Sequence, residues 1–401
     1  MELKYEVLLA VLQRALWGTG KIANLPDLNL IINEANIQGV QSFLFPGTKG
    51  YEDLFPLERR KEWRSIMLAC ALRNDEINAT QRDIISILSD NGIRVAVLKG
   101  LSVSRYYPQP EIRALGDIDI LVDVNKLKAV DSILREQGYT VSDSDHVFHC
   151  AYHKNGIIVE VHHAVTDTPV SKGGRAAATM MHSFLDHAEM IEVCETQFLA
   201  LSEPHQALML LLHMERHMVE KGIGLRQLCD WAVYINSVDL DIWRTKTSKL
   251  LAECGLLFYA QVITKVCVSY LGLDAEKNQW CMDVETALVE AMIADVFQHG
   301  NLGMSNKRDV SDLFTDRRTL GQGKKNRLQG FIAKLTSVAY KRYPITQQYR
   351  VLLPALWLFI SMKYLVKWLG KSKDRHSLFQ MVSESNGRQE LCRSLKLYEV
   401  E

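Results

Sequence analysis

Apolar residues recur at helical spacing over residues 3–18 and 27–39, and again from about Leu57 to Asn78 and on to Asn91. Asn91-Gly92 supplies a stop. The texture then changes. Arg94 to Leu98 is a short β-rich run ending in Lys99-Gly100, residues 101–107 read as the opening of a helix, and Pro108 and Pro110 punctuate a loop. Asp117 to Val122 alternates acid with aliphatic, as a strand does. Asn125 caps a helix over about 126–137, closed by Gly138. Residues 146–153 and 157–163 form a hairpin around Lys154-Asn155-Gly156, because Asn-Gly favours the turn that joins twisted strands. A short strand over Met190 to Cys194 follows. From Glu203 the pattern is helical, in segments near 203–220, 224–236, 240–254, 256–271 and 283–298.

This pattern predicts an α+β fold: a small mixed β-sheet core flanked by helices, with a largely helical C-terminal half. The expected divisions are an N-terminal helical segment over 1–91 packing on the core, an α/β core over 92–200 and a helical domain over 201–300. A basic linker over 301–330 leads to a C-terminal helical segment over 331–401. The linker carries Lys307, Arg308, Arg317, Arg318, Lys324, Lys325 and Arg327, which read as a solvated loop or as a contact for an anionic surface.

With 47 basic and 47 acidic residues the chain is formally neutral, so it has no general pull towards nucleic acid or anionic membrane. The eight cysteines are scattered with no C-x-x-C pair, which suits reduced thiols in a cytoplasmic protein. The N-terminus carries Glu2 and Glu6 and reads as an amphipathic helix, not a signal peptide. Val351 to Met362 is a run of twelve residues without charge, short of the roughly 20 that a spanning helix needs. It reads as a buried C-terminal helix or as one lying in a membrane interface, where Trp357, Lys363, Lys367 and Trp368 would anchor a peripheral contact through 351–369.

Asp117 and Asp119 flank Ile118, so on a strand their carboxylates project to one face while Ile118, Ile120 and Val122 turn to the core. Two like charges so placed repel unless a cation or proton neutralises them. A divalent ion is the usual remedy, and magnesium prefers one or two carboxylates plus substrate phosphate oxygens; otherwise the acids stand on a solvated strand face. Two such ions about 4 Å apart can hold the attacking and leaving oxygens of phosphoryl chemistry. Glu160 lies in the otherwise aliphatic run Ile157-Ile-Val-Glu-Val161, where an acid needs a partner or a site; it becomes the third carboxylate if its strand lies beside that of Asp117. Upstream, Lys99-Gly100-Leu101-Ser102 follows a strand, which suits a phosphate-cradling turn or a plain strand-to-helix turn.

Gly100 after a strand, Asp117-Ile-Asp-Ile120 and Val159-Glu160-Val161 together resemble the polymerase-β-type nucleotidyltransferase pattern. Within it the chain resembles the bacterial uncharacterised nucleotidyltransferase family. The residues are Val97-Leu-Lys-Gly100, Tyr107-Pro108, Arg113, Gly116 to Val122, Val159-Glu-Val-His162, Leu212-His213, His217 and Leu225-Arg-Gln-Leu-Cys-Asp230. The usual Gly-Gly or Gly-Ser is here Gly100-Leu101, with Ser102 one place late, and the gap from Gly100 to Asp117 is long. The resemblance implies transfer of a nucleoside monophosphate from ATP or another nucleoside triphosphate, with two Mg²⁺ ions held by Asp117, Asp119 and Glu160. It gives Lys99, Gly100, Ser102 and Arg113 to the nucleotide. The acceptor would be a small molecule, carbohydrate or peptide rather than nucleic acid.

His146, His149, Cys150 and His153 lie close in sequence, but strand alternation puts His149 and His153 on one face and His146 and Cys150 on the other, which argues against zinc. His162 shares a strand face with Glu160 and borders the metal site. His213 and His217 sit four apart on a helix without the Glu placement of a zinc protease. With His162, Arg226 and Asp230 they are candidates for an acceptor cleft, or simply core histidines. The competing functional class is a non-catalytic nucleotide-binding or interaction protein that keeps the fold.

Overall fold

The computed structural model describes residues 1–143, 148–301, 349–369 and 390–400, with isolated positions between 304 and 346. The seven basic residues named in the linker, and His146, lie outside the described residues.

The architecture is α+β, as the pattern predicts. Among the described residues seven strands form one mixed sheet: β1 (Ala96–Val97), β2 (Ile118–Leu121), β3 (Thr140–Asp143), β4 (His149–Lys154), β5 (Ile157–His162), β6 (Ala188–Val193) and β7 (Thr196–Leu201). Their order is β3-β4-β5-β2-β1-β7-β6. At the centre β2 runs antiparallel to β1 and parallel to β5. On one face Ile118, Ile120, Val122, Val159 and Val161 pack with Val130 and Leu134 of the helix Leu127–Glu136 and with Ile77, Ile84 and Leu88 of the long helix Leu57–Asp90. The alternating residues, Asp119 and Glu160 among them, are therefore left on the opposite face.

That long helix is a single element of 34 residues, where the sequence suggests two near Asn78. Its continuity matters for the site. Asn74, buried in its middle, accepts a hydrogen bond from the Leu115 amide at 2.9 Å and donates to the carbonyls of Glu111 at 2.7 Å and Arg113 at 2.9 Å. A helix side chain thus stands in for a strand neighbour and braces the loop that delivers β2. Two strands are absent from the sequence reading, β3 and β7. The first is a peripheral strand with a register shift against β4. The second, Thr196-Gln-Phe-Leu-Ala-Leu201, ends in four apolar residues and pairs with both β1 and β6.

The larger core lies among the helices Glu203–Glu220, Leu225–Ser237 and Leu257–Leu271. The first helix, Leu3–Trp17, joins this core: Trp17 Nε1 donates to the Leu271 carbonyl at 2.7 Å and Gln13 Nε2 to that of Tyr270 at 2.9 Å. Where the pattern predicts one helix over 240–254, a π-type turn at Trp243–Thr247 interrupts it. The apolar run near 351 forms the helix Leu353–Leu369. Leu353 and Ile360 bury against Leu335 and Ala339, while Val351, Leu358, Phe359 and Met362 are exposed. No helix among the described residues is long and apolar enough to cross a membrane.

Candidate active site

β2 and β5 run side by side with Asp119 opposite Glu160 and Leu121 opposite His162. Asp117, just ahead of β2, completes a group in which one carboxylate oxygen from each residue lies within 4.8 Å of the others. Three anions on one face would drive the strands apart without counter-charge. Lys99, at the end of β1, places Nζ 2.9 Å from Asp119 Oδ1. His162 Nε2 lies 2.9 Å from the same oxygen and 3.2 Å from Glu160 Oε2.

The electrostatics follow from these contacts. Burial alone would raise the Asp119 carboxyl, but Lys99 and then His162 override it and hold it well below the usual carboxylate range. Burial would likewise lower His162, yet its hydrogen bonds to Asp119 and Glu160 raise it. For Glu160 burial works upward, and the hydrogen bond from His162 brings the net shift down. Lys99 also ends raised: burial pulls its ammonium down, and Asp119 and Asp117 more than offset that. Asp117 is the group left out. The charge of Asp119 first, and burial second, push it up to about 6. The site opens to solvent through this half-buried carboxylate and through Glu160, whose side chain is 24% exposed, while Asp119 is only 3% exposed.

A raised carboxyl binds its proton more tightly in the folded chain than in the unfolded one. Its ionised form therefore destabilises the fold above about pH 6, and the penalty fades as pH falls towards the ordinary value of 3.8. Asp117→Asn is expected to raise the denaturation midpoint of metal-free protein at pH 8. The gain over the native chain should shrink steadily between pH 6 and pH 4. Urea melts of both proteins across that range check it; an equal gain at every pH would show that Asp117 carries no charge penalty.

The structure gathers Lys99, Asp117, Asp119, Glu160 and His162 in one place. It places other sequence candidates elsewhere. Ser102, expected at the phosphate, is fully buried and its hydroxyl donates to Gln206 Oε1 at 3.2 Å. The helix expected over 101–107 is a single turn, Leu101–Ser104. Gly100 makes the turn before it at φ 57° and ψ −116°, a conformation that side chains disfavour. Arg113, also expected at the nucleotide, is buried in a two-pronged pair with Asp230. Nε meets Oδ1 at 2.7 Å and Nη2 meets Oδ2 at 2.8 Å, and the Tyr107 hydroxyl donates to Oδ1 at 2.7 Å. A third donor of Arg113 reaches the Gly100 carbonyl at 3.3 Å. Asp230 is therefore tied to the strand–loop scaffold rather than facing a cleft.

His213 and His217 bond to each other, Nε2 to Nε2, at 2.9 Å. Burial first and the nearby Lys99 second hold His213 well below its usual range. Arg226, on the helix Leu225–Ser237, is lowered by burial and by Arg113, with Asp230 and Asp117 acting against the shift. It brings a cation near the acid cluster from the helical half.

His149 joins the site although its own strand gives no sign of it. Its strand pairs with β5 so that His149 lies opposite His162. Its Nε2 is 3.7 Å from Glu160 Oε1, whereas His153 is exposed and Cys150 lies against the opposite core. The signal was present in the turn. A two-residue connection at Asn155-Gly156, both with positive φ, pairs Lys154 with Ile157 and dictates each pair after it.

A family model described as an uncharacterised nucleotidyltransferase matches residues 25–272. No curated protein matches the chain. Among solved structures the chain is similar to that of the antibiotic-resistance factor ANT(2'')-Ia, determined in solution, at 13% identity over 55% of this chain and 97% of that one. The TM-score is 0.25, and a likeness that low transfers neither fold detail nor substrate.

Proposed function

The chain belongs to the uncharacterised nucleotidyltransferase family, and from that membership we propose that it moves a nucleoside monophosphate from a nucleoside triphosphate to an acceptor hydroxyl or phosphate, with Asp117, Asp119 and Glu160 as the magnesium-binding carboxylates. The observation that carries the reading is the convergence of three acids from adjacent strand positions within 4.8 Å, with hard oxygen donors that suit magnesium. Bound magnesium would offset charge on the triphosphate and lower the pKa of the acceptor oxygen.

In the transfer, the acceptor oxygen bonds to the α-phosphorus and the bridging P–O bond to the β-phosphate breaks, its electron pair leaving with pyrophosphate. The acceptor proton passes to Glu160 or to water. Lys99, already 2.9 Å from Asp119, is the cation positioned to turn from carboxylate to phosphate. Arg226 offers a second cation from the helical half, to the triphosphate or to an anionic acceptor. Holding these groups in place before substrate arrives is what lowers the barrier in phosphoryl transfer. The acceptors in view are small molecules, carbohydrates and peptides.

The test mixes purified protein with Mg²⁺ and each α-labelled nucleoside triphosphate. We expect binding that requires Mg²⁺, and release of pyrophosphate once a candidate acceptor is added. Binding without any label transfer across acceptor classes would favour the non-catalytic alternative. No Mg²⁺-dependent binding would remove both.

The exposed apolar residues of the helix Leu353–Leu369, with Arg350 at its start, support a peripheral membrane contact. The full chain should float with anionic vesicles, and should stay behind at the bottom of the gradient, apart from them, when Leu358 and Phe359 are both replaced by Ser.

A further inference from the structure

We propose that the acid cluster contains a second, chemically different metal position, in which His149, Glu160 and His162, with Asp119 at its edge, hold a first-row transition-metal ion rather than magnesium. The inference deepens the nucleotidyl-transfer reading above and shares Glu160 with it. Two overlapping groups of donors meet at that residue. Asp117, Asp119 and Glu160 offer only oxygen; His149, Glu160 and His162 offer two imidazole nitrogens and a carboxylate, again with all ligand atoms within 4.8 Å.

The spacing suits a common ion. Ligands about 2.1 Å from a metal stand about 3.0 Å apart at octahedral corners and about 3.4 Å apart at tetrahedral ones. The observed separations are 2.9 Å from His162 Nε2 to Asp119 Oδ1, 3.2 Å from His162 Nε2 to Glu160 Oε2, and 3.7 Å from His149 Nε2 to Glu160 Oε1. The separations made by His162 lie close to the octahedral and tetrahedral values, and that from His149 to Glu160 is slightly wider than the tetrahedral one.

The far side of His162 is arranged as a ligand's would be. Its Nδ1 faces the Ala164 carbonyl at 3.2 Å. A proton held on Nδ1 by that carbonyl leaves the Nε2 lone pair directed at the two carboxylates, and backbone carbonyls commonly set the tautomer of metal-binding histidines in this way. Between that lone pair and two carboxylate oxygens some cation has to sit, either a proton or a metal. Imidazole donors favour later first-row ions, whereas magnesium keeps oxygen ligands and its own water. The two strands hold these donors before any ion arrives, because His149 and His162 are paired partners across the hairpin. The rings stand 4.9 Å apart between centroids.

The experiment titrates the full chain with Co²⁺ and with Mn²⁺. Visible absorption follows the first, and pulsed electron paramagnetic resonance of the second reports nitrogen ligands. We expect Mn²⁺ bound to the native protein to show imidazole nitrogen coupling. His162→Ala should remove most of it and weaken Co²⁺ binding about tenfold or more. His149→Phe should leave one nitrogen where the native chain shows two. Asp117→Asn should keep the coupling, since its carboxylate belongs to the all-oxygen group. Mn²⁺ bound to the native chain without nitrogen coupling would overturn the proposal and make His162 a counter-charge only; that reading needs no variant to fold. Displacement of Co²⁺ by an equal concentration of Mg²⁺ would overturn it too. Mg²⁺-dependent nucleotide binding, measured on the same preparation, judges the transfer reading separately.

Discussion

Asp119→Asn is expected to lower nucleotide turnover by at least about a thousandfold, or roughly 4 kcal/mol in the barrier. Asp119 is the deepest of the three acids and the one on which the others depend. Lys99 and His162 both meet its Oδ1 at 2.9 Å. Asparagine keeps the shape and one acceptor oxygen but not the charge, so the variant loses the anion that would hold magnesium and that offsets the two cations beside it. It also removes the main cause of the Asp117 shift to about 6, so Asp117 should return towards an ordinary carboxyl. The two effects can be told apart. Label transfer at saturating Mg²⁺ reads the lost charge, and the pH dependence of the residual rate reads Asp117. Turnover within about tenfold of the native rate would mean that chemistry proceeds elsewhere on the chain.

The second large effect concerns stability. Arg113→Met should destabilise the protein by about 3–5 kcal/mol, because it removes the two-pronged partner of the buried Asp230 carboxylate and leaves it to the Tyr107 hydroxyl and the charge of Arg226. Asp230→Leu should cost a comparable amount by stranding the guanidinium. The double variant Arg113→Met with Asp230→Leu should cost clearly less than the two single costs combined, since no unpaired charge remains. Denaturant unfolding of the three variants against the native chain measures this. Single variants within about 1 kcal/mol of the native protein would show that the pair is not a buried one in solution. The pair joins the loop before β2 to the helix Leu225–Ser237, so the single variants should also unsettle the approach of Arg226 to the acids.

Much of the site was legible because strands obey a period of two. Asp117 and Asp119 had to share a face, and Ile118 and Ile120 had to be buried if that face was to be anything but solvent. Adjacency of Glu160 to Asp119 was a conditional expectation, and the parallel pairing of β2 with β5 satisfies the condition. What sequence could not supply was the fate of individual polar groups. Ser102 and Arg113 have the composition of phosphate ligands, but three-dimensional neighbours far along the chain, Gln206 and Asp230, engage them. No local pattern announces such partners. The missed strand β7 has a different cause: its apolar part, Phe198 to Leu201, is four residues long and stands directly before a helix, which gives no period by which to tell strand from helix. His149 escapes a reading along its own strand because its companions come from across the hairpin.

The turn at Asn155-Gly156 carries a heritable constraint of its own. Its residues can be exchanged for others that tolerate positive φ, since only the backbone path is at stake. Its length cannot change so freely. One residue gained or lost there slides β4 by a single step against β5, turns the imidazole of position 149 into the apolar layer, and offers Cys150 in its place. Among relatives of this chain, variation in the spelling of the loop should be common, and variation in its count should coincide with loss of the histidine pair.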